Sequence, residues 1–300
     1  MSLPFVRAPH APELATHYAY CLRLASNHYE NFPVVSRLLP KDIRPSVAAI
    51  YAFARTADDL ADEGDADTET RLTRLAAHAN RLEAVATSTP SQDPVFIALA
   101  DTVAKHSLPL QPFRDLLDAF RLDIVQRRYA DFDQVLGYCR YSANPIGRLL
   151  LHLLEAATPM NIELSDQLCT GLQLTNMLQD LDQDYAENER IYLPRDEMVA
   201  CGVTERHFRE RISDGAMYRL VEEQIGRADR LLRHGLHLSH RLGGSTGLHV
   251  RLITHGGLRV LERVQAHRHD LFARPRLRRR DWIVIVGRAL SPRSLFAVRR

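Results

Sequence analysis

The chain has 300 residues, 45% hydrophobic and 25% charged, with a formal net charge of +2. That is an ordinary soluble globular composition, long enough to bury a substantial core, and the near-neutral balance argues against general nucleic-acid binding. Cys21, Cys139, Cys169 and Cys201 stand far apart without Cys-x-x-Cys spacing, which disfavours zinc or a disulfide framework and fits a reducing cytoplasm.

The first residues carry no secretory pattern, and no apolar run approaches the ~18 residues a membrane span needs. The expectation is a cytoplasmic protein, or one peripheral at a membrane surface. Taken in order, the chain reads as helices separated by turns. The first runs from about Glu13 to Asn27 behind Pro12, and Pro33 and Pro40 frame a short segment. Pro45 opens a helix through Leu60 that ends at Gly64–Asp67. An amphipathic helix follows over about Thr68–Ala86, then Pro94–His106 and Pro112–Arg127. A longer element covers Phe132–Ala157, interrupted or bent near Pro145, and a long helix covers Glu163 to about Ala186. Two short helical pieces precede two long Arg-rich helices, Ala216–Leu242 and Leu248–Phe272, divided by Gly243-Gly244. A last helix follows Pro275. No linker or repeat divides the chain, so the expectation is one all-α domain over residues 1–300, with loose ends at about 1–12 and 290–300. The Arg-rich stretches 274–280 and 288–300 have two readings, a solvated end or a peripheral contact with anionic lipid.

Two acidic runs stand out, Asp58-Asp59-Leu60-Ala61-Asp62 and Asp180-Leu181-Asp182-Gln183-Asp184. Each holds aspartates four residues apart, one helical turn. At 100° per residue Tyr51, Arg55, Asp58 and Asp62 fall at about 0, 40, 340 and 20°, and Gln173, Asn176, Asp180 and Asp184 at about 0, 300, 340 and 20°. Each set is a narrow polar stripe among apolar neighbours, the pattern of a cavity wall rather than a solvated face. Acidic pairs four apart are common on solvated faces, and the first pair alone would carry little; two matched stripes argue for a cationic partner. Oxygen-only pairs suit Mg²⁺, which takes one or two carboxylates and completes its shell with water and phosphate. A di-iron bundle would want Glu-x-x-His, which is absent from the sequence. Paired aspartates for glycoside hydrolysis are allowed by spacing but poorly served by an all-α chain with few aromatics.

The runs Tyr51-Ala-Phe-Ala-Arg55-Thr-Ala-Asp58-Asp59-Leu-Ala-Asp62 and Gln173-Leu-Thr-Asn176-Met-Leu-Gln179-Asp180-Leu-Asp-Gln-Asp184 resemble the squalene/phytoene synthase family, with Asn31–Pro40, Tyr138-Cys139 and Arg190–Pro194 in support. The resemblance covers roughly residues 15 to 280 and implies an all-α isoprenoid synthase fold with a central tunnel. It implies that Asp58, Asp62, Asn176, Asp180 and Asp184 hold Mg²⁺ and an isoprenoid diphosphate, with Tyr51, Arg55 and Gln173 beside it and His28, Asn31, Gln179 and His269 also facing substrate. Glu30–Pro40, Thr56–Gly64 and Tyr138–Arg148 are similar to the bacterial hydroxysqualene synthases of hopanoid pathways, which convert presqualene diphosphate and water to hydroxysqualene and diphosphate. On that reading NADPH is not expected and pathway enzymes are candidate partners.

The chain departs from the commoner family pattern. Gln179 stands where many members have Arg or Lys, Tyr29 and Asn31 replace serines, and His269 takes a position that is often Tyr. The small residues Ser142, Ala143 and Gly147 either leave room for an isoprenoid chain or let helices pack closely. His234, His237, His240 and His249 read as exposed or core-edge residues rather than ligands. Head-to-head condensation of two prenyl diphosphates, and a noncatalytic partner retaining the fold, remain as alternatives.

Overall fold

The structure is a computed structural model that describes residues 11–27, 35–87 and 89–291. His28 and Asn31 lie outside the described residues. The contacts divide the chain into two compact units, one of residues up to Ile124 with His152–Glu155, the other of Val125–Leu151 and the residues from Ala156 on.

The first unit holds α1 (Ala11–Asn27), α2 (Arg44–Asp62), α3 (Thr68–Ala86), α4 (Pro94–His106) and α5 (Gln111–Val125). Pro45 and Pro94 occupy the first turns of α2 and α4, where a missing N–H costs nothing. Asp67 and Asp93 cap α3 and α4 by accepting from the backbone N–H groups of Thr70 and Val95, at 2.8 and 2.9 Å. The core side of α2 carries Ala48, Ala49, Ala52, Phe53 and Ala57, so α1 and α4 approach it closely. Phe53 meets Phe96, Phe113 and His78 at 5.9, 5.4 and 4.9 Å between ring centres. On α1, the Tyr18 hydroxyl donates to Asp101 of α4 at 2.7 Å.

The second unit holds α6 (Phe132–Ser142), α7 (Asn144–Leu153), α8 (Pro159–Gln179), α9 (Leu181–Asn188), α10 (Arg195–Cys201), α11 (Glu205–Arg209), α12 (Gly215–Gly235), α13 (Leu238–Leu242), α14 (Gly244–Ala266) and α15 (Arg279–Leu290). Its core is the packing of α8 against α12 and α14, and glycines set the spacing. A Cβ on Gly235 would stand 2.7 Å from the backbone nitrogen of Leu168, one on Gly171 3.0 Å from Leu232, and one on Gly257 2.9 Å from Leu172. A second cluster joins Tyr129, Tyr138 and Tyr192, with ring centres 5.3 to 5.7 Å apart. At α15, Asp281 is fully buried and accepts from Arg259 at 2.8 Å, from Arg263 at 2.9 and 3.1 Å, and from the backbone N–H of Arg278 at 2.8 Å.

Among the described residues every regular element is a helix, as the sequence predicts, with one isolated parallel bridge between Arg128 and Ile191. None of these helices is long and apolar enough to cross a membrane. The boundaries of α3 and α4 are those expected. The expected 132–157 element is interrupted near Pro145 as predicted, at Ala143, and it ends earlier, at Leu153. Helix α8 begins earlier than Glu163, because Thr158 caps it and Pro159 opens it. It also stops earlier, at Gln179. The expected 248–272 helix starts at Gly244 and ends at Ala266, where the His267 ring meets the Arg263 carbonyl at 2.7 Å. The expected 216–242 helix breaks between Gly235 and Leu238.

Candidate active site

In the first unit the acidic run occupies the last turns of α2. Carboxylates there face the negative end of the helix dipole, an arrangement that disfavours them unless a cation is present. Arg55 supplies one. It donates to Asp58 at 3.2 Å and Glu63 at 2.5 Å, and its Nε lies 2.6 Å from Asp59. Burial pulls the guanidinium down, but Asp58, Asp59, Glu63 and Tyr51 outweigh it, and its proton is held more firmly than usual. Tyr51, Arg55, Asp58 and Asp62 are all half-buried. The guanidinium of Arg71 ties down the chain just beyond, donating to the carbonyls of Ala61, Gly64 (2.7 Å) and Ala66 (2.9 Å). This satisfies carbonyls at the helix end and fixes the turn that follows Asp62.

In the second unit the acidic run straddles a break. Asp180, with φ −107° and ψ 18°, ends α8 and precedes α9. The expected single helix is therefore two. Asp sits poorly inside a helix because its side chain competes for backbone groups, and three aspartates fall within five residues here. The one-turn spacing nonetheless survives the break, since the Asp180 N–H donates to the Asn176 carbonyl and the Asp184 N–H to the Asp180 carbonyl, both at 2.9 Å. Asn176 is exposed and Gln173, Asp180 and Asp184 are half-buried, while Leu174, Met177, Leu178 and Leu181 are buried beside them. That is the predicted polar stripe in an apolar surround.

The segment between α14 and α15 crosses this second motif. Arg274 grips Asp180 with two hydrogen bonds, at 2.5 and 3.0 Å, and Gln179, almost fully buried, donates to the Pro275 carbonyl at 2.6 Å. Arg211 reaches Asp182 at 2.5 Å and the Phe272 carbonyl at 3.3 Å. Burial raises the Asp180 carboxyl above its ordinary range, with Arg274 opposing the rise. Sequence reasoning places Arg274 in a basic tail; here it is a local counterion, 94 residues from its partner in the chain. Its one sequence signal is Pro275, which forces the preceding residue out of a helix. His269 is exposed in the turn after α14.

Gly147 on α7 follows the packing reading. A Cβ on Gly147 would run into the Ser165 hydroxyl and stand 2.7 Å from the Cys169 sulfur, both on α8. His234 is exposed, His237 and His240 are half-buried, and His249 is buried.

No group of three or more His, Cys, Asp or Glu among the described residues is arranged to cage a metal ion. The donors in each unit are oxygen pairs, Asp58 with Asp62 and Asp180 with Asp184, plus the Asn176 amide. Such a set leaves coordination positions open, and it fits a hard cation that brings water and phosphate oxygens with it.

The squalene/phytoene synthase family profile matches residues 25–282. A hydroxysqualene synthase from Rhodopseudomonas palustris is 35% identical over 272 residues, covering 90% of this chain and 91% of the relative. A phytoene synthase from Mycobacterium bovis is 37% identical over 226 residues, 75% of this chain and 69% of the relative. The crystal structure of squalene synthase HpnC from Alicyclobacillus acidocaldarius superposes with a TM-score of 0.80 at 34% identity, covering 87% of this chain and 97% of that one. Both acidic motifs and the segment that crosses the second lie inside the matched span, and the chain belongs to the squalene/phytoene synthase family.

Proposed function

We propose that this enzyme, as one catalytic domain, converts presqualene diphosphate and water to hydroxysqualene and diphosphate, with Mg²⁺ and without NADPH. The observation that carries the reading is the 35% identity to a hydroxysqualene synthase across nine-tenths of both chains. The exchange at the second motif supports it: Gln179 bonds the Pro275 carbonyl and Arg274 brings the positive charge to Asp180 instead.

Asp58 and Asp62 in the first unit, and Asn176, Asp180 and Asp184 in the second, would each hold Mg²⁺, which when bound would neutralise the charge that builds on the departing diphosphate. Arg55 and Arg274 add fixed positive charge beside those carboxylates, so that breaking the carbon–oxygen bond leaves an anion already compensated. Tyr51 and Gln173 belong to the stripes themselves, and His28, Asn31, Gln179 and His269 complete the proposed substrate-binding set. The carbocation left behind then takes the oxygen of one water, which loses a proton. Apolar neighbours that exclude other nucleophiles make that single capture selective.

A second reading is favoured by the phytoene synthase relative at 37% identity: head-to-head condensation of two prenyl diphosphates on the same residues. Incubating the pure protein with Mg²⁺ and either presqualene diphosphate or farnesyl diphosphate, and weighing the products, separates the two. A hydroxylated C30 alcohol from presqualene diphosphate alone is the expected result. Comparable consumption of farnesyl diphosphate moves the assignment to condensation, and no turnover of any prenyl diphosphate favours a noncatalytic partner.

A further inference from the structure

Helix α15 turns an apolar face outward. Ile283, Val286 and Leu290 are 74, 42 and 57% exposed, and their spacing of three and four residues puts them within about 60° on one side of the helix. The opposite side holds Asp281, Ile285 and Ala289, all fully buried. Isolated exposed apolar residues need no explanation, but three in register over two turns form a patch.

The charge at the start of α15 has one sign, while farther along Arg288 is paired with Glu262 of α14. Arg276, Arg278, Arg279 and Arg280 are exposed at and before the start of α15. Asp281 is the one acidic residue from position 271 to the end of the chain, and it is consumed inside the protein by Arg259 and Arg263. It therefore offsets little of the outward positive field. The three apolar side chains offer on the order of 300 Å², against ~800 Å² per partner in a stable protein–protein interface. Small apolar area with a dense arginine rim is the pattern of a helix lying in a lipid headgroup layer. Trp282, half-buried beside the stripe, is of the type that favours that layer.

We infer that the Ile283/Val286/Leu290 face of α15, with Arg276 and Arg278–Arg280, docks the protein on an anionic phospholipid bilayer. The contact is electrostatic in its reach and apolar in its hold. It rests on the exposure and charge of α15 and not on the reaction assigned above.

The test uses the full chain and its single tryptophan, Trp282. Vesicles of phosphatidylcholine alone are compared with vesicles that are roughly one-third phosphatidylglycerol, by sedimentation and by Trp282 emission. Wild-type protein should sediment with the anionic vesicles, shift its emission to the blue, and release as salt rises from ~0.1 to ~0.5 M. Ile283→Asp with Leu290→Asp should weaken binding at least tenfold, and Arg279→Glu with Arg280→Glu at least tenfold by charge alone, at about fivefold or more per arginine. Circular dichroism and the melting temperature check that each variant is folded; should the aspartates unfold the helix, Ile283→Asn with Leu290→Ser takes their place. Absence of wild-type binding, equal binding to neutral vesicles, or binding that survives loss of the apolar pair each overturns the inference. A vesicle-free dimer abolished by the same pair would assign the face to a second copy and overturn it too.

Discussion

Replacing Asp281 with Asn keeps the shape of the side chain and removes its charge, and the consequence can be worked from the structure. The carboxylate is fully buried and accepts from Arg259, Arg263 and the Arg278 N–H. Burial alone would raise its pKa, but these donors win and hold it at about 2 instead of 3.8. At ~1.4 kcal/mol per pH unit, that difference is worth about 2.5 kcal/mol of folding free energy. Both arginines keep a quarter of their surface in water, so the variant does not strand two dry charges, and the cost should stay near 2–3 kcal/mol rather than rise to ~5. In a unit of this size that lowers the melting temperature by roughly 5–8 °C. The sign of the pH dependence follows from a depressed carboxyl. The stabilisation is complete above the unfolded pKa and is lost as pH falls through the folded one. Asp281→Asn should therefore trail wild type fully at pH 7, by about half as much near pH 3, and hardly at all below pH ~2. Urea unfolding at pH 7 and near pH 3 measures this. A loss under ~1 kcal/mol at pH 7, or a gap that does not narrow in acid, refutes the argument.

Other outcomes are equally definite. Asp58→Ala and Asp180→Ala should each abolish turnover while circular dichroism and melting stay close to wild type; full activity in either would remove the metal-holding role. Arg274→Gln should cut kcat on the order of tenfold to a hundredfold and weaken inhibition by inorganic diphosphate, and unchanged values would leave Arg274 a surface ion pair. Burial beside Phe53 and Phe96 holds His78 down at about 4, so its neutral form stabilises the fold above pH ~6.5 and that gain is lost as pH falls toward 4. His78→Leu should flatten acid unfolding across that window, where wild type loses up to about 3 kcal/mol. Gly235→Ala should cost about 1–2 kcal/mol in a denaturant melt, because the new methyl meets the backbone of Leu168 while only part of the strain is offset by better helix propensity.

Much of the architecture could be read in advance because local chemistry decided it. Prolines marked the starts of α2 and α4. The helical wheel collected Tyr51, Arg55, Asp58 and Asp62 before any coordinates. The failures share a cause. Helix α8 looked continuous through residue 186 because its apolar spacing continues past Asp180; a break set by one residue's backbone leaves no trace in that spacing. Gly147 was ambiguous because a missing side chain looks the same whether ligand or helix fills the gap, and only the positions of Ser165 and Cys169 decide it. Arg274 was hidden among neighbouring arginines, and its pairing with Asp180 depends on how α14 ends.

The interruption at Asp180 has a mechanical side. Helix α8 is wedged against α12 and α14 with glycine clearances that leave no slack, whereas α9 is a short, mostly half-buried element hinged on one residue. Asn176 is thus welded to the rigid block and Asp184 is carried on the lever. Rotation at the hinge changes the bite between their oxygens at the cost of moving one core side chain, Leu181. Amide hydrogen exchange should find that seam, with protection falling abruptly between Leu178 and Asp182 rather than fading along one rod.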